Sequence, residues 1–159
     1  MRDSSRVAHT CQEALLTNWA RVRYLTREEW REDPDRVNPE LVYLLDDFRA
    51  AVGKPVILHE VWASSGHLPG SSHYTGDAVD CHVAELNLID QWLAAERFPF
   101  VGIGLYPFWV QPGLHLEVRP SGEVPSRGRR WWRDAEGRYR PLDRQALTML
   151  LLVPTSVRA

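Results

Sequence analysis

Three side chains of metal-ligand type stand in two short segments whose patterning can bring them to one point. The run Ser71-Ser72-His73-Tyr74-Thr75-Gly76-Asp77-Ala78-Val79-Asp80-Cys81-His82-Val83 opens with small polar residues. It then places a histidine before a glycine turn and continues as an alternating segment. In a strand, Ala78, Asp80 and His82 point one way, and Val79, Cys81 and Val83 the other. A carboxylate on an inner face is costly unless something positive meets it. His73 can fold back over the strand toward Asp80, and a metal ion is the natural positive partner for the two. Residues 113–118 alternate again, with His115 and Glu117 on one face and Leu114, Leu116 and Val118 on the other. His73, Asp80 and His115 make two imidazoles and one carboxylate, the donor set of a catalytic zinc with one position left to water. Taken singly, each residue also suits a buried polar cluster without metal.

A family resemblance rests on these residues. The pattern Ser-x-His-x-x-Gly-x-Ala-x-Asp at 71–80 is followed by Val101-Gly102-Ile103-Gly104-Leu105-Tyr106-Pro107 and then by His115-Leu116-Glu117-Val118-Arg119. Together they resemble the zinc D-Ala-D-Ala carboxypeptidases and peptidoglycan endopeptidases, the LAS-type metallopeptidases, over about residues 39–133. The resemblance implies the hedgehog-type fold of those peptidases, zinc held by His73, Asp80 and His115, and a peptidoglycan peptide as substrate. Two positions depart from the pattern. Many relatives carry an acid three residues before the last histidine ligand, where this chain has Pro112. Many also carry a Ser-Gly-Tyr-Arg segment whose arginine holds the substrate carboxylate, and the matching stretch here is His59-Glu60-Val61-Trp62.

The elements that must position these groups are legible from patterning. A capping box at Thr26-Arg27-Glu28-Glu29 starts a short helix. A longer helix is expected over 39–52: Asn38 caps it, Pro39 opens it, and Leu41, Leu44, Leu45, Phe48 and Val52 form its apolar stripe. Gly53 stops it, and Asp46 and Asp47 fall on its solvated side. Residues 56–62 read as a strand with His59 and Glu60 on opposite faces. A Ser/Gly loop follows, carrying an exposed His67. A helix over 86–97, strands over 101–106 and 113–119, a hairpin-like stretch at 134–139 and a last helix over 144–152 complete the chain. The last helix is apolar all round at its end. The fold class expected is α+β, an antiparallel sheet of about four to six strands with helices 39–52 and 86–97 packed outside it.

At 159 residues the chain is read as one domain, 1–159. Its net charge of −2 provides no global field for nucleic acid or a membrane surface. One local basic cluster, Arg119, Arg127, Arg129, Arg130 and Arg133, is a solvated loop or a site for an anionic polymer. Cys11 and Cys81 are too few for a disulfide framework. Cys81 lies on the apolar face of its strand. No apolar stretch follows the charges of residues 1–12, and no run of about 18 apolar residues occurs, so neither a signal peptide nor a membrane span is expected. The expected location is the cytoplasm, where the chain is made. Access to a cell wall then requires phage lysis or assembly into a particle.

Three functions follow from the residues and the resemblance. The first is a zinc-dependent peptidase of peptidoglycan stem peptides. In it Glu117, sharing a strand face with His115, is the catalytic base in place of the acid missing at Pro112, or else orients His115. Arg119, two residues further on, is the nearest replacement for the carboxylate-holding arginine, and Trp62 occupies that arginine's place in substrate binding. The second is a metal-binding module of the same fold without catalysis. The third is a non-haem iron enzyme using His115-x-Glu117 and a distant histidine.

Overall fold

The structure is a computed structural model and describes residues 16–31, 33–119 and 129–152. Cys11, Arg127 and the chain before residue 16 lie outside the described residues. Three single turns of 3₁₀ helix, Trp19–Arg21, Arg27–Glu29 and Pro34–Arg36, lead into the domain. The capping box forms at the second turn, where Glu29 Oε2 accepts from the Thr26 backbone N–H at 2.7 Å.

Helix α1, Pro39–Val52, has the expected bounds. Asn38 Oδ1 accepts from the Glu40 N–H at 3.0 Å, and Gly53 closes the helix in the left-handed region at φ +62°. Leu41, Leu45 and Phe48 of its stripe are fully buried. Asp46 is a correction to the solvated side expected of it. It is buried and accepts the backbone N–H groups of Arg23, Tyr24 and Leu25 at 3.0, 2.7 and 2.8 Å. The leading segment lies across α1 without a strand partner, and its N–H groups need an acceptor that only a side chain can supply.

The strands are β1 Val56–Glu60, β2 Ala78–Val83, β3 Gly102–Tyr106, β4 Gly113–Glu117, β5 Arg129–Arg133 and β6 Tyr139–Pro141. Helix α2, Leu88–Ala95, lies between β2 and β3, and α3, Arg144–Leu152, follows β6. The sheet order is β1-β2-β4-β3-β5-β6. The architecture is α+β, with a mixed six-stranded sheet and three α-helices among the described residues. The expectation of an antiparallel sheet holds for four of the five strand pairs and fails at β3–β5, which is parallel. The reason is topological. Strand β4 has β2 on one side and β3 on the other, so the chain leaving β4 crosses to the free edge of β3 and runs in the direction of β3.

One face of the sheet is the core. Val56, Leu58, Val79, Cys81, Ile103, Leu105, Leu114 and Leu116 pack there with the stripe of α1 and with Leu88 and Ala95 of α2. Helix α3 buries Ala146 and Leu150, while Leu151 and Leu152 are exposed. The opposite face is polar and forms the floor of a cleft of about 1530 Å³.

Candidate metal centre

Register brings the ligands together. Asp80 of β2 pairs with His115 of β4, which pairs with Gly104 of β3, which pairs in turn with Trp131 of β5. One row across the sheet therefore carries Asp80 and His115 side by side, then an empty place at Gly104, then an indole. The empty place is needed. A Cβ at Gly104 would lie 2.5 Å from Trp131 Cε2. The next row repeats the device, with Glu117 opposite Gly102, where a Cβ would come within 2.3 Å of Glu117 Oε2.

His73 arrives from the loop before β2. Gly76, at φ +72°, turns that loop, and a Cβ there would meet the Arg36 carbonyl oxygen at 2.1 Å. His73 is 1% exposed. Its Nδ1 lies 2.6 Å from the Val61 carbonyl oxygen. A carbonyl only accepts, so the ring proton sits on Nδ1 and Nε2 is turned to the cluster. His73 Nε2 is 3.2 Å from His115 Nδ1 and 3.4 Å from Asp80 Oδ1, and His115 Nδ1 is 2.7 Å from Asp80 Oδ1. The three donor atoms lie within 4.8 Å of one another, and all three residues are buried.

The group fits a cation. With His73 neutral, its Nε2 and the Asp80 oxygen are both acceptors, facing each other in a buried site with a single His115 proton to share. Ligand atoms held at about 2.0–2.2 Å around a tetrahedral zinc are spaced by about 3.3–3.6 Å, close to the separations here. The His73-Asp80-His115 group could therefore bind a metal ion, with Nε2, one carboxylate oxygen and Nδ1 as donors.

The surroundings set the charges of these groups. Burial alone would lower the pKa of His115, but the Asp80 and Glu117 carboxylates on its two ring nitrogens push it up to about 9. Burial opposes ionisation of Asp80 too, and the His115 imidazole, 2.7 Å away, reverses this and holds its carboxyl well below the usual range. Glu117 likewise sits below its ordinary value: burial would raise it, and His115, Arg129 and Ser72 outweigh burial.

Glu117 stands behind His115 rather than among the donors. Its Oε1 accepts from His115 Nε2 at 3.1 Å and from Ser72 Oγ at 2.9 Å. Arg129 reaches both of its oxygens, at 2.9 and 3.0 Å. This places the carboxylate at the ring nitrogen that points away from Asp80, where it fixes the tautomer and the tilt of His115. The His115–Glu117 pair consequently does not face one ion.

Other residues take unforeseen places. The β1–β2 register shifts between Leu58 and Glu60, and this bulge turns both His59 and Glu60 to the cleft, correcting their expected opposite faces. His67 is half-buried rather than exposed. It stacks on His73 with ring centroids 4.6 Å apart, and its Nε2 is 3.1 Å from Glu60 Oε1. Its backbone N–H and carbonyl are both bonded to the Tyr74 hydroxyl, at 2.9 and 2.7 Å. Trp62 is half-buried beneath the Arg36 guanidinium, 4.4 Å from its ring, and Arg119 is exposed just past β4. Neither borders the cleft, whereas Arg129 and Trp131 do. Alternation in Arg129-Arg130-Trp131-Trp132-Arg133, facing the gap left by Gly102-x-Gly104, is the signal that could have found those two. Pro112, three residues before His115, gives its carbonyl to Gln91 Nε2 at 3.1 Å.

No protein-family model matches the chain, and no curated protein matches it. Among the described residues, no helix is long and apolar enough to cross a membrane.

Proposed function

We propose that the protein is a metal-dependent peptidase whose ion, zinc by donor type, is held by His73, Asp80 and His115, and that it cleaves an amide bond in peptidoglycan stem peptides. The observation that carries this reading is the buried two-histidine, one-aspartate cluster on the floor of an open cleft. A bound zinc would polarise the amide carbonyl and lower the pKa of water toward about 7.

The chain's own groups supply the rest. His73 is oriented through its Nδ1–H to the Val61 carbonyl, and His115 through its Nε2–H to Glu117. Ser72 and Arg129 hold Glu117 in turn. With the lone pairs of Glu117 so occupied, proton transfer falls to the Glu60–His67 pair, which stands beside His73 and opens to the cleft. This pair takes the proton of the attacking water and returns it to the leaving amine. The peptidoglycan assignment rests on the motif resemblance at 71–80 and 101–119.

A second reading, a metal-binding module without catalysis, is favoured by the engagement of Glu117 and by Pro112 at the position of the missing acid. Hydrolysis of purified peptidoglycan, followed by chromatography of released fragments, separates the two. Cleavage that stops with chelator and returns with zinc is expected. Stoichiometric zinc with no cleavage of several peptidoglycan types would refute the peptidase and leave the module.

A further inference from the structure

The far wall of the cleft is built by β5 and β6, where Trp131 pairs with Pro141 and Arg133 with Tyr139. Four arginines border the cleft there: Arg129, Arg130, Arg133 and Arg140. Three have carboxylate partners. Arg129 meets Glu117, Arg130 is bonded twice to Glu96 at 2.5 and 2.9 Å, and Arg140 meets Asp134 at 3.1 Å. Arg133 differs. Its Nε donates to the Gly137 carbonyl at 3.1 Å and its guanidinium rides 5.7 Å from the Tyr139 ring centroid. Among the described residues it has no acidic partner, and its side chain lines the cleft.

Its position sets a distance. His115 and Trp131 both pair with Gly104, so they lie two strand spacings apart, about 10 Å. Arg133 is two residues further along β5, about 7 Å. Its backbone is therefore about 12 Å from that of His115, the reach of three to four residues of extended chain. Trp131 and Tyr139 provide flat contact surface along the way.

We propose that Arg133 receives a carboxylate of a peptide lying along the cleft, three to four residues from the bond held over the His73-Asp80-His115 cluster. The proposal rests on the peptidase reading for the direction of the chain, but the anion site itself does not depend on the metal. The substrate is then gripped well away from the reacting bond, as an internal stretch of a longer acidic chain rather than as a dipeptide.

The test uses a neutral acetylated, amidated alanine hexapeptide and six variants of it, each with a single glutamate at a different position. Binding to the full chain is followed by calorimetry, and the Arg133 Nε–H resonance by NMR. Zinc content is measured on the same samples. The glutamate peptide with the best-placed acid should bind three- to tenfold more tightly than the neutral one and shift the Arg133 signal. Arg133→Ala should abolish that preference, and Arg133→Lys should keep part of it. Equal binding of all the peptides, no binding of any, or a preference that survives Arg133→Ala would overturn the proposal. Loss of zinc alone, with the Arg133-dependent preference intact, counts against the metal reading and not against this site.

Discussion

Glu117→Gln separates an orienting role from a proton-transfer role. The carboxylate accepts from Ser72, from His115 and, through both oxygens, from Arg129. The amide keeps the shape but loses the charge, and its NH₂ must face either the His115 Nε2–H or the Arg129 guanidinium, donor against donor. A hydrogen bond to a charged group contributes about 1.5–3 kcal/mol. The Arg129 side chain is 42% exposed and can turn to water, so the net destabilisation of the metal-free protein should be nearer 1–2 kcal/mol, about the low end of that range. Losing a partner that orients a metal-bound histidine typically weakens metal binding by about 10- to 100-fold. Zinc affinity measured by competition with a chromophoric chelator should fall by that factor, and urea unfolding of the metal-free form should show the stability change. If affinity stays within about twofold of the parent while cleavage drops by about 10²–10⁴, Glu117 is the base and the orienting assignment is wrong.

Three further outcomes are expected. His73→Ala removes one of the three donors and should abolish stoichiometric zinc; unchanged metal content by mass spectrometry of the native protein would remove His73 from the ligand set. The raised pKa of His115 makes the metal-free and metal-loaded forms respond oppositely to pH. In the metal-free protein the charged imidazole stabilises the fold fully below its unfolded value of 6.5, and this is lost as pH rises through about 9. Over the same window zinc, competing with that proton, should bind up to about tenfold more tightly per pH unit, and a pH-independent affinity would contradict the use of His115 Nδ1. Gly104→Ala drives a methyl against the Trp131 indole and should cost about 1–3 kcal/mol in urea unfolding, with a neutral result showing that the indole moves aside freely.

The elements that position the site were legible wherever a local rule fixes them. The Asn38 cap and Gly53 stop bound α1, and alternation at 78–83 and 113–117 placed Asp80 and His115 on one face. The hidden features depend on contacts that no local pattern encodes. A bulge at His59 adds one residue to one strand, and no periodicity announces it. The parallel seating of β5 follows from which strand edges are already taken. Asp46 is buried because another segment needs its oxygens, and His67 is drawn inward because Tyr74 ties its backbone. Glu117 was placed beside His115 by alternation, yet its role was set by Arg129, twelve residues away, arriving on a strand that joins a different edge.

The strand order gives the candidate centre a mechanical meaning. Strands β1 and β2 form one antiparallel pair, β3 and β4 a hairpin, and β5 and β6 a second hairpin docked on the first. The pairing of β2 with β4 is the seam that joins the first pair to all the rest. His73 and Asp80 lie on one side of this seam and His115 on the other, so an ion held by them would rivet the two halves of the sheet together. Its removal would leave the seam to backbone bonds and apolar packing, and the domain would open there first. Amide exchange on β2 and β4 should then quicken on chelation while the β3–β5 ladder keeps its protection.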